Sequence, residues 1–127
     1  MMNIDVDIFQ DETGNTLIRT LEPIEFVIDF QNVTIPAGFI SDGASIPRAL
    51  WCLLDPPVTA STLVPSIIHD YLYRYQICTR EAADSMYDDL LRKNGYSAIK
   101  RWLVYKGLRW FGNKAWDEHS RALAKQK

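Results

Sequence analysis

Cysteine is scarce in this sequence: its 127 residues include two, Cys52 and Cys78, and neither forms part of a C-x-x-C pair. That spacing argues against a zinc knuckle or a redox dithiol, and it favours two buried free thiols in a reducing compartment. A chain of this length can bury a core without a disulfide, so we predict a single domain spanning residues 1–127.

Long apolar runs are also missing. No stretch approaches the roughly 18 consecutive apolar residues of a membrane-spanning helix. Near its start the chain carries the acids Asp5 and Asp7, where a secretory leader would have basic residues followed by an apolar run. We therefore expect a protein made in the cytoplasm, without a signal peptide or a transmembrane segment.

A large overall excess of charge of one sign is absent, because the net charge is −2. Residues 1–91, however, hold four basic and fourteen acidic side chains, and residues 92–127 hold ten basic and two acidic ones. The two parts can screen each other in the folded chain, or the basic part can meet phosphate on a lipid surface or a nucleic acid. Aromatic residues such as Trp102 and Trp110 interleave with its basic residues, which is typical of a membrane-interface helix and equally of a helix with a buried aromatic face.

The first third of the sequence has the pattern of β-strands. Apolar and acidic residues alternate from Ile4 to Ile8, and runs rich in β-branched and aromatic residues follow, with turn residues between them. The predicted strands cover residues 3–9, 16–20, 24–30 and 33–35. We expect them to form a small antiparallel sheet or a set of hairpins, which makes residues 1–40 mainly β.

The remainder of the sequence has the pattern of helices, with capping residues and prolines at their ends. The predicted helices cover residues 47–54, about 61 or 62 to 76, 80–93 with Thr79 as its cap, the segment from the cap Ser97 to about residue 110 with an interruption at Gly107, and 114–124 with Asn113 as its cap. Residues 41–127 are therefore predicted to be mainly α. The fold class that follows is α+β, with a small N-terminal antiparallel sheet and a mainly helical second part.

One imidazole and three carboxylates fall between positions 42 and 84, namely Asp42, His69, Asp70 and Asp84. Adjacent helical residues point about 100° apart, so His69 can face a reacting water while Asp70 faces a metal or a loop. Asp84 shares a helical face with apolar residues, and a carboxylate in that position needs a partner. We expect the His69 helix to pack on the Asp84 helix, so that the carboxylate orients the imidazole for water activation.

A purely structural interpretation of the same residues stays open. Asp42 before Gly43 is typical of a turn, and His69 can donate to a backbone carbonyl in the core. Asp84 can pair with an arginine in a buried network that only holds helices together, and the candidates are Arg48, Arg74 and Arg80. Ser45 as a nucleophile lacks a Gly-x-Ser-x-Gly elbow and is better explained as a helix cap.

Three runs resemble a family of uncharacterised domains common in bacteriophage and prophage genomes, in which G-F-x-S/T-D-G-A-S-x-P-R precedes H-D-x-L-Y and R-x-x-A-D. Here they are residues 38–48, 69–73 and 80–84, and residues 101–116 fit the same family's C-terminal part. The resemblance implies a phage-associated protein and no established reaction. One function compatible with it is a virion or tail component with a non-catalytic polar core, whose partners are phage structural proteins.

A more distant resemblance, to prokaryotic secreted phospholipases that cleave the sn-2 ester, carries chemistry. Those enzymes have an Asp-Gly-Cys-Ser loop, then His-Asp-x-x-Tyr, then an arginine and an aspartate on the partnering helix. The resemblance implies that His69 is the general base and Asp84 its orienting partner. It also implies that Asp42, Asp70 and the backbone near Gly43 are calcium ligands.

The other matched residues would support the structure or the substrate, and they are Ser45, Arg48, Tyr73 and Arg80. The positions of the family's bridging cysteines are Ala44 and Ser66 here, so both halves of that disulfide are absent together. Their joint absence is consistent with a cytoplasmic chain.

Carboxylate and carbonyl oxygens suit a hard cation, calcium or magnesium, and no organic cofactor is predicted. A bound cation would polarise an ester carbonyl while His69 removes a proton from water. The sequence therefore predicts a metal-assisted ester hydrolase with a lipid or membrane surface as partner. A metal-dependent cell-wall hydrolase is a further alternative, although the multi-histidine set of zinc peptidases is missing. Nucleic-acid binding rests only on the basic part of the chain.

Overall fold

The computed structural model describes residues 5–14, 16–41 and 63–126. The fold is α+β, with small antiparallel sheets followed by four described helices. The strands are β1 (Val6–Gln10), β2 (Thr16–Thr20), β3 (Ile24–Ile28), β4 (Gln31–Ile35) and β5 (Ile40–Ser41). The helices are α1 (Leu63–Tyr75), α2 (Arg80–Lys93), α3 (Ala98–Phe111) and α4 (Asn113–Lys125). The predicted helix over 47–54 lies outside the described residues, as do Asp42, Gly43, Ser45 and Arg48.

The strands form two antiparallel units rather than one sheet. β2 lies between β1 and β5, while β3 and β4 pair only with each other in the described part of the chain. The predicted strand over 24–30 is two residues too long, because Asp29 and Phe30 both have positive φ and form the two-residue turn between β3 and β4. Side chains alternate along β3, which buries Ile24, Phe26 and Ile28.

The helix starts follow local chemistry. The Thr79 and Ser97 hydroxyls accept hydrogen bonds from backbone amides in the first turns of α2 and α3, which confirms both as caps. Two predictions are wrong. α3 runs through the buried Gly107 without a break, and the residue that caps α4 is Gly112, not Asn113.

α1 is the centre of the molecule, since it packs against α2, α4 and β5. Its Ile67, Ile68 and Leu72 join the buried side chains of the strands in one apolar core. A second, smaller cluster between α2 and α3 is built from Tyr87, Leu91, Val104 and Leu108. Among the described residues, no helix is both long enough and apolar enough to cross a bilayer.

Candidate active site: a buried histidine and aspartate

α1 and α2 each contribute to a buried polar cluster at the place where they pack together. His69 and Tyr73 are four residues apart on α1 and therefore share a face, and Asp84 comes from the facing side of α2. The Nε2 atom of His69 lies 2.8 Å from Oδ1 of Asp84. The Tyr73 hydroxyl donates a hydrogen bond of 2.7 Å to the same oxygen. The structure thus brings together three of the residues that the sequence singled out.

Two arginines hold the second oxygen of Asp84. Arg109, in the last turn of α3, donates from Nη1 to Oδ2 at 3.0 Å. Nη1 of Arg80 lies 3.6 Å from the same oxygen. Arg80 also donates to the carbonyl oxygens of Leu108 and Arg109, at 2.9 and 3.2 Å. These contacts fix the carboxylate relative to three helices at once.

The electrostatics of this cluster favour an ionised aspartate. Burial alone would raise the pKa of the Asp84 carboxyl, but hydrogen bonds from His69, Tyr73 and Arg109 outweigh it, and the pKa lies below its usual value. Burial and the adjacent Asp84 carboxylate raise the pKa of Tyr73, so its hydroxyl keeps its proton and acts as a donor. The buried His69 ring is also enclosed by aromatic rings, with centroids 4.4 Å away in Tyr73 and 5.0 Å away in Tyr87.

Arg109 is the functional candidate that sequence reasoning missed. The sequence predicts Arg48, Arg74 or Arg80 as the partner of Asp84. Of these, Arg80 pairs with Asp84, Arg74 pairs with Asp70, and Arg48 lies outside the described residues. Nothing in the spacing relates Arg109 to Asp84, which is 25 positions away. No pattern in the sequence indicated this contact.

Asp70 lies on a different side of α1 from His69 and is also buried. Nη2 of Arg74 approaches its Oδ2 at 3.5 Å, and Nη1 of the same guanidinium donates to the carbonyl oxygen of Ile40 at 2.9 Å. Arg74 therefore connects Asp70 to β5, and Asp42 follows that strand directly in the sequence.

The predicted calcium ligands are only partly within the described residues. Asp70 supplies one buried carboxylate. The other two predicted ligand positions, Asp42 and Gly43, lie outside the described residues. In the described part of the chain, no three His, Cys, Asp or Glu side chains come together in a group able to hold a metal ion. The chemistry of Asp70 suits a hard cation, and the remaining ligands stay a prediction.

Gly112, at the junction of α3 and α4, lies next to the Tyr73 hydroxyl and the Arg80 guanidinium of this cluster. A Cβ atom at this position would lie 2.6 Å from the Tyr73 hydroxyl, 2.6 Å from the Leu108 carbonyl oxygen and 3.1 Å from Nη1 of Arg80. Since all three distances are below normal contact, only glycine lets the junction approach the hydroxyl that binds Asp84.

Comparison with known proteins adds a family and a relative. The profile of the family described as "Protein of unknown function (DUF1353)" matches residues 18–108, which include His69, Tyr73 and Asp84. A relative in Sinorhizobium fredii (strain NBRC 101917 / NGR234), "Uncharacterized protein y4jT", is 30% identical over 78 residues, or 61% of this chain. The aligned part is 23% of that protein, so the chain spans about a quarter of its length. No solved structure matches the chain.

Proposed function

We propose that this chain, which belongs to the DUF1353 family, is a phage-associated, metal-assisted hydrolase of the sn-2 phospholipase type. The family is described as of unknown function, so the proposal rests on the side chains of this protein. The observation that carries this proposal is the 2.8 Å contact between His69 Nε2 and Asp84 Oδ1, with the Tyr73 hydroxyl on the same oxygen. A carboxylate that binds one ring nitrogen fixes the orientation of the ring, and the base in this proposal is the other nitrogen.

The ionised state of Asp84 sets the direction of its contact with His69. Asp84 receives hydrogen bonds from Tyr73 and Arg109, and its lowered pKa keeps it ionised, so it acts as an acceptor only. The hydrogen between the two residues then belongs to Nε2 of His69. In the proposed step the other ring nitrogen, Nδ1, takes a proton from water.

The ionised Asp84 would also stabilise the product of that step. When Nδ1 accepts a proton, the ring becomes an imidazolium, and a carboxylate already at 2.8 Å needs no rearrangement to balance the new charge. Arg80 and Arg109 hold that carboxylate in place through its other oxygen. The role proposed for both arginines is to position Asp84.

A hard cation, calcium or magnesium, completes the proposal. Asp70, Asp42 and the backbone near Gly43 would hold it, and a cation there would polarise the ester carbonyl. Asp70 is next to His69 in the sequence and faces the β5 side of α1 through Arg74. The proposal requires an ester that contacts both the cation and the His69 ring.

The test is release of fatty acid from a short-chain phosphatidylcholine kept monomeric in solution, with calcium or magnesium added. His69→Gln should lower the rate by at least about a hundredfold, since it removes the base. His119→Gln, the same change at the other histidine, should leave the rate unchanged. Circular dichroism would verify that both variants fold. No release by the wild-type protein with either cation, or equal rates in wild type and His69→Gln, would overturn the proposal.

A second candidate function is a structural or accessory protein of a phage particle. The observation that favours it is the four-sided bonding of Asp84 by His69, Tyr73, Arg80 and Arg109, which links three helices through one buried carboxylate. In that case Asp84→Asn lowers stability and there is no turnover to lose. Association with phage particle proteins during purification would support this candidate.

A further inference from the structure

α3 exposes a second apolar face, opposite to the one that packs in the core. Its outer face consists of Ile99, Trp102, Leu103, Lys106 and Trp110. Ile99 is 74% exposed, Trp102 58% and Trp110 69%. Residues 99, 103, 106 and 110 follow each other at steps of four, three and four, so they form one stripe along the helix. At 1.5 Å per residue the stripe is about 16 Å long.

The outer face of α3 takes no part in the described core. Val104 and Leu108 lie on the other side of α3 and are buried against Tyr87 and Leu91 of α2. An amphipathic helix at a protein surface normally presents charged and polar residues outward once its inner face is buried. Two exposed tryptophans and two exposed aliphatic residues on the outside therefore mark a surface with a binding role.

The charges on α3 indicate what that surface meets. The helix carries four basic side chains and no acidic one. Arg101 is engaged by Asp88 and Arg109 by Asp84. Lys100 and Lys106 form no ion pair within the described part of the chain. Their positive charge is available to an anionic partner, and Lys106 lies inside the apolar stripe itself.

We infer that the outer face of α3 binds the surface of an anionic lipid bilayer. Trp102 and Trp110 suit the headgroup region, Ile99 and Leu103 reach the acyl boundary, and Lys106 contacts lipid phosphate. A nucleic acid would also attract the lysines, and its bases would stack on the tryptophans, but Ile99 and Leu103 beside them add exposed apolar surface that neither stacks on bases nor pairs with phosphate. The inference concerns binding alone and does not depend on the hydrolase activity.

The experiment measures cosedimentation with vesicles of phosphatidylcholine alone and of phosphatidylcholine mixed with phosphatidylglycerol in equal parts. The full chain with His69→Gln is used throughout, so that no lipid is turned over. We expect binding to the mixed vesicles, and Trp102→Ala with Trp110→Ala should weaken it at least about tenfold. The matched control is Phe30→Ala, which removes a fully exposed aromatic ring from the β3–β4 turn and should change nothing.

Substitutions of the two lysines test the electrostatic part of the inference independently. Lys100→Gln with Lys106→Gln should lower the partition coefficient by about fivefold for each residue at low salt. Lys93→Gln, at an exposed lysine paired with Asp89 on α2, is the control. Binding to both vesicle types that is equal and insensitive to the four substitutions would overturn the inference. Displacement of the protein from vesicles by an oligonucleotide would overturn it too. The same holds if the protein is a dimer in solution and the Trp102→Ala, Trp110→Ala variant is a monomer.

Failure here and failure of the proposed function are distinguishable. Vesicle binding without release of fatty acid from the soluble ester would support the lipid-binding role of α3 and overturn the hydrolase proposal. Cleavage of the soluble ester without vesicle binding would support the hydrolase proposal and overturn the lipid-binding role.

Discussion

His69 and Tyr73, one turn apart on α1, bind the same oxygen of Asp84, at 2.8 and 2.7 Å. The two donors converge on Oδ1 and the two arginines contact Oδ2, so both oxygens of the carboxylate are held by neighbouring side chains. The consequence is a carboxylate that is held in one orientation and has a lowered pKa. The same contacts stabilise the packing of three helices, because His69 and Tyr73 lie on α1, Asp84 on α2 and Arg109 on α3.

Asp84→Asn should lower the free energy of unfolding by about 3 kcal/mol or more, because it leaves two arginines facing a neutral amide at a buried position. Urea denaturation measures the change. The control is Asp89→Asn on the same helix, where a half-exposed carboxylate pairs with Arg92 and Lys93. That variant should lose no more than about 1 kcal/mol. Equal losses in the two variants would contradict the assignment of Asp84 as the buried centre of the network.

Stability should fall in acid through Asp84. Its pKa in the folded chain lies below the ordinary value of 3.8, which applies to the unfolded chain. The stabilisation is therefore complete above pH 3.8 and is lost as the pH falls through the lower folded value. The midpoint of thermal unfolding, measured against pH, should decline less steeply in Asp84→Asn than in the wild type. Identical slopes would mean that Asp84 contributes nothing to acid unfolding.

Gly112→Ala should destabilise the protein by about 1–3 kcal/mol through steric overlap. The backbone at Gly112 has φ −75°, which alanine adopts readily, so the cost comes from the new methyl group against the Tyr73 hydroxyl and the Leu108 carbonyl. A double-mutant cycle with Tyr73→Phe isolates the hydroxyl. We expect a coupling of at least about 0.5 kcal/mol, since removal of the hydroxyl relieves one of the two clashes. If the free-energy changes of Gly112→Ala and Tyr73→Phe were strictly additive, the Tyr73 hydroxyl would contribute nothing to the cost of Gly112→Ala.

Arg109→Gln should reduce kcat for the soluble ester by about tenfold and leave KM unchanged, if Arg109 positions Asp84 and does not touch substrate. Arg109→Lys should restore part of the rate, because an ammonium can replace one of the contacts. Arg92→Gln removes an arginine that pairs with Asp89 on the exposed side of α2 and is the matched control. A rise in KM with kcat intact would instead indicate that Arg109 binds the ester.

The helices and the dyad were predictable because both follow from short-range patterns. Thr79 and Ser97 cap helices through bonds within three residues, and the bounds of α2 agree with the prediction at both ends. The His69–Asp84 contact was predicted from a weaker signal, a carboxylate on an apolar helical face that needs a partner. That rule holds because an unpaired buried charge costs more free energy than a small protein can spare.

The parts that were not predictable depend on long-range packing. Gly107 continues α3 because its position is buried against neighbouring helices, and such packing outweighs the low helix propensity of glycine. The cap of α4 is a glycine because a Cβ atom at position 112 would overlap the Tyr73 hydroxyl. Arg109 joins Asp84 only once α3 has docked on α2. Neither spacing nor composition carries that information.

Calcium should raise the midpoint of thermal unfolding if Asp70 belongs to a cation site. At a concentration about a hundredfold above the dissociation constant, binding to the folded chain alone would contribute about 2.7 kcal/mol. Asp70→Asn removes a ligand but also leaves Arg74 without its buried carboxylate partner, so it lowers the midpoint even without calcium. The decisive quantity is therefore the increment caused by calcium, which should vanish in Asp70→Asn and persist in Asp89→Asn. Since Asp42 is the other predicted carboxylate ligand, Asp42→Asn should abolish the increment as well. An increment of the same size in all four proteins would show that calcium binds elsewhere, and the ester carbonyl would then need a different electrophile.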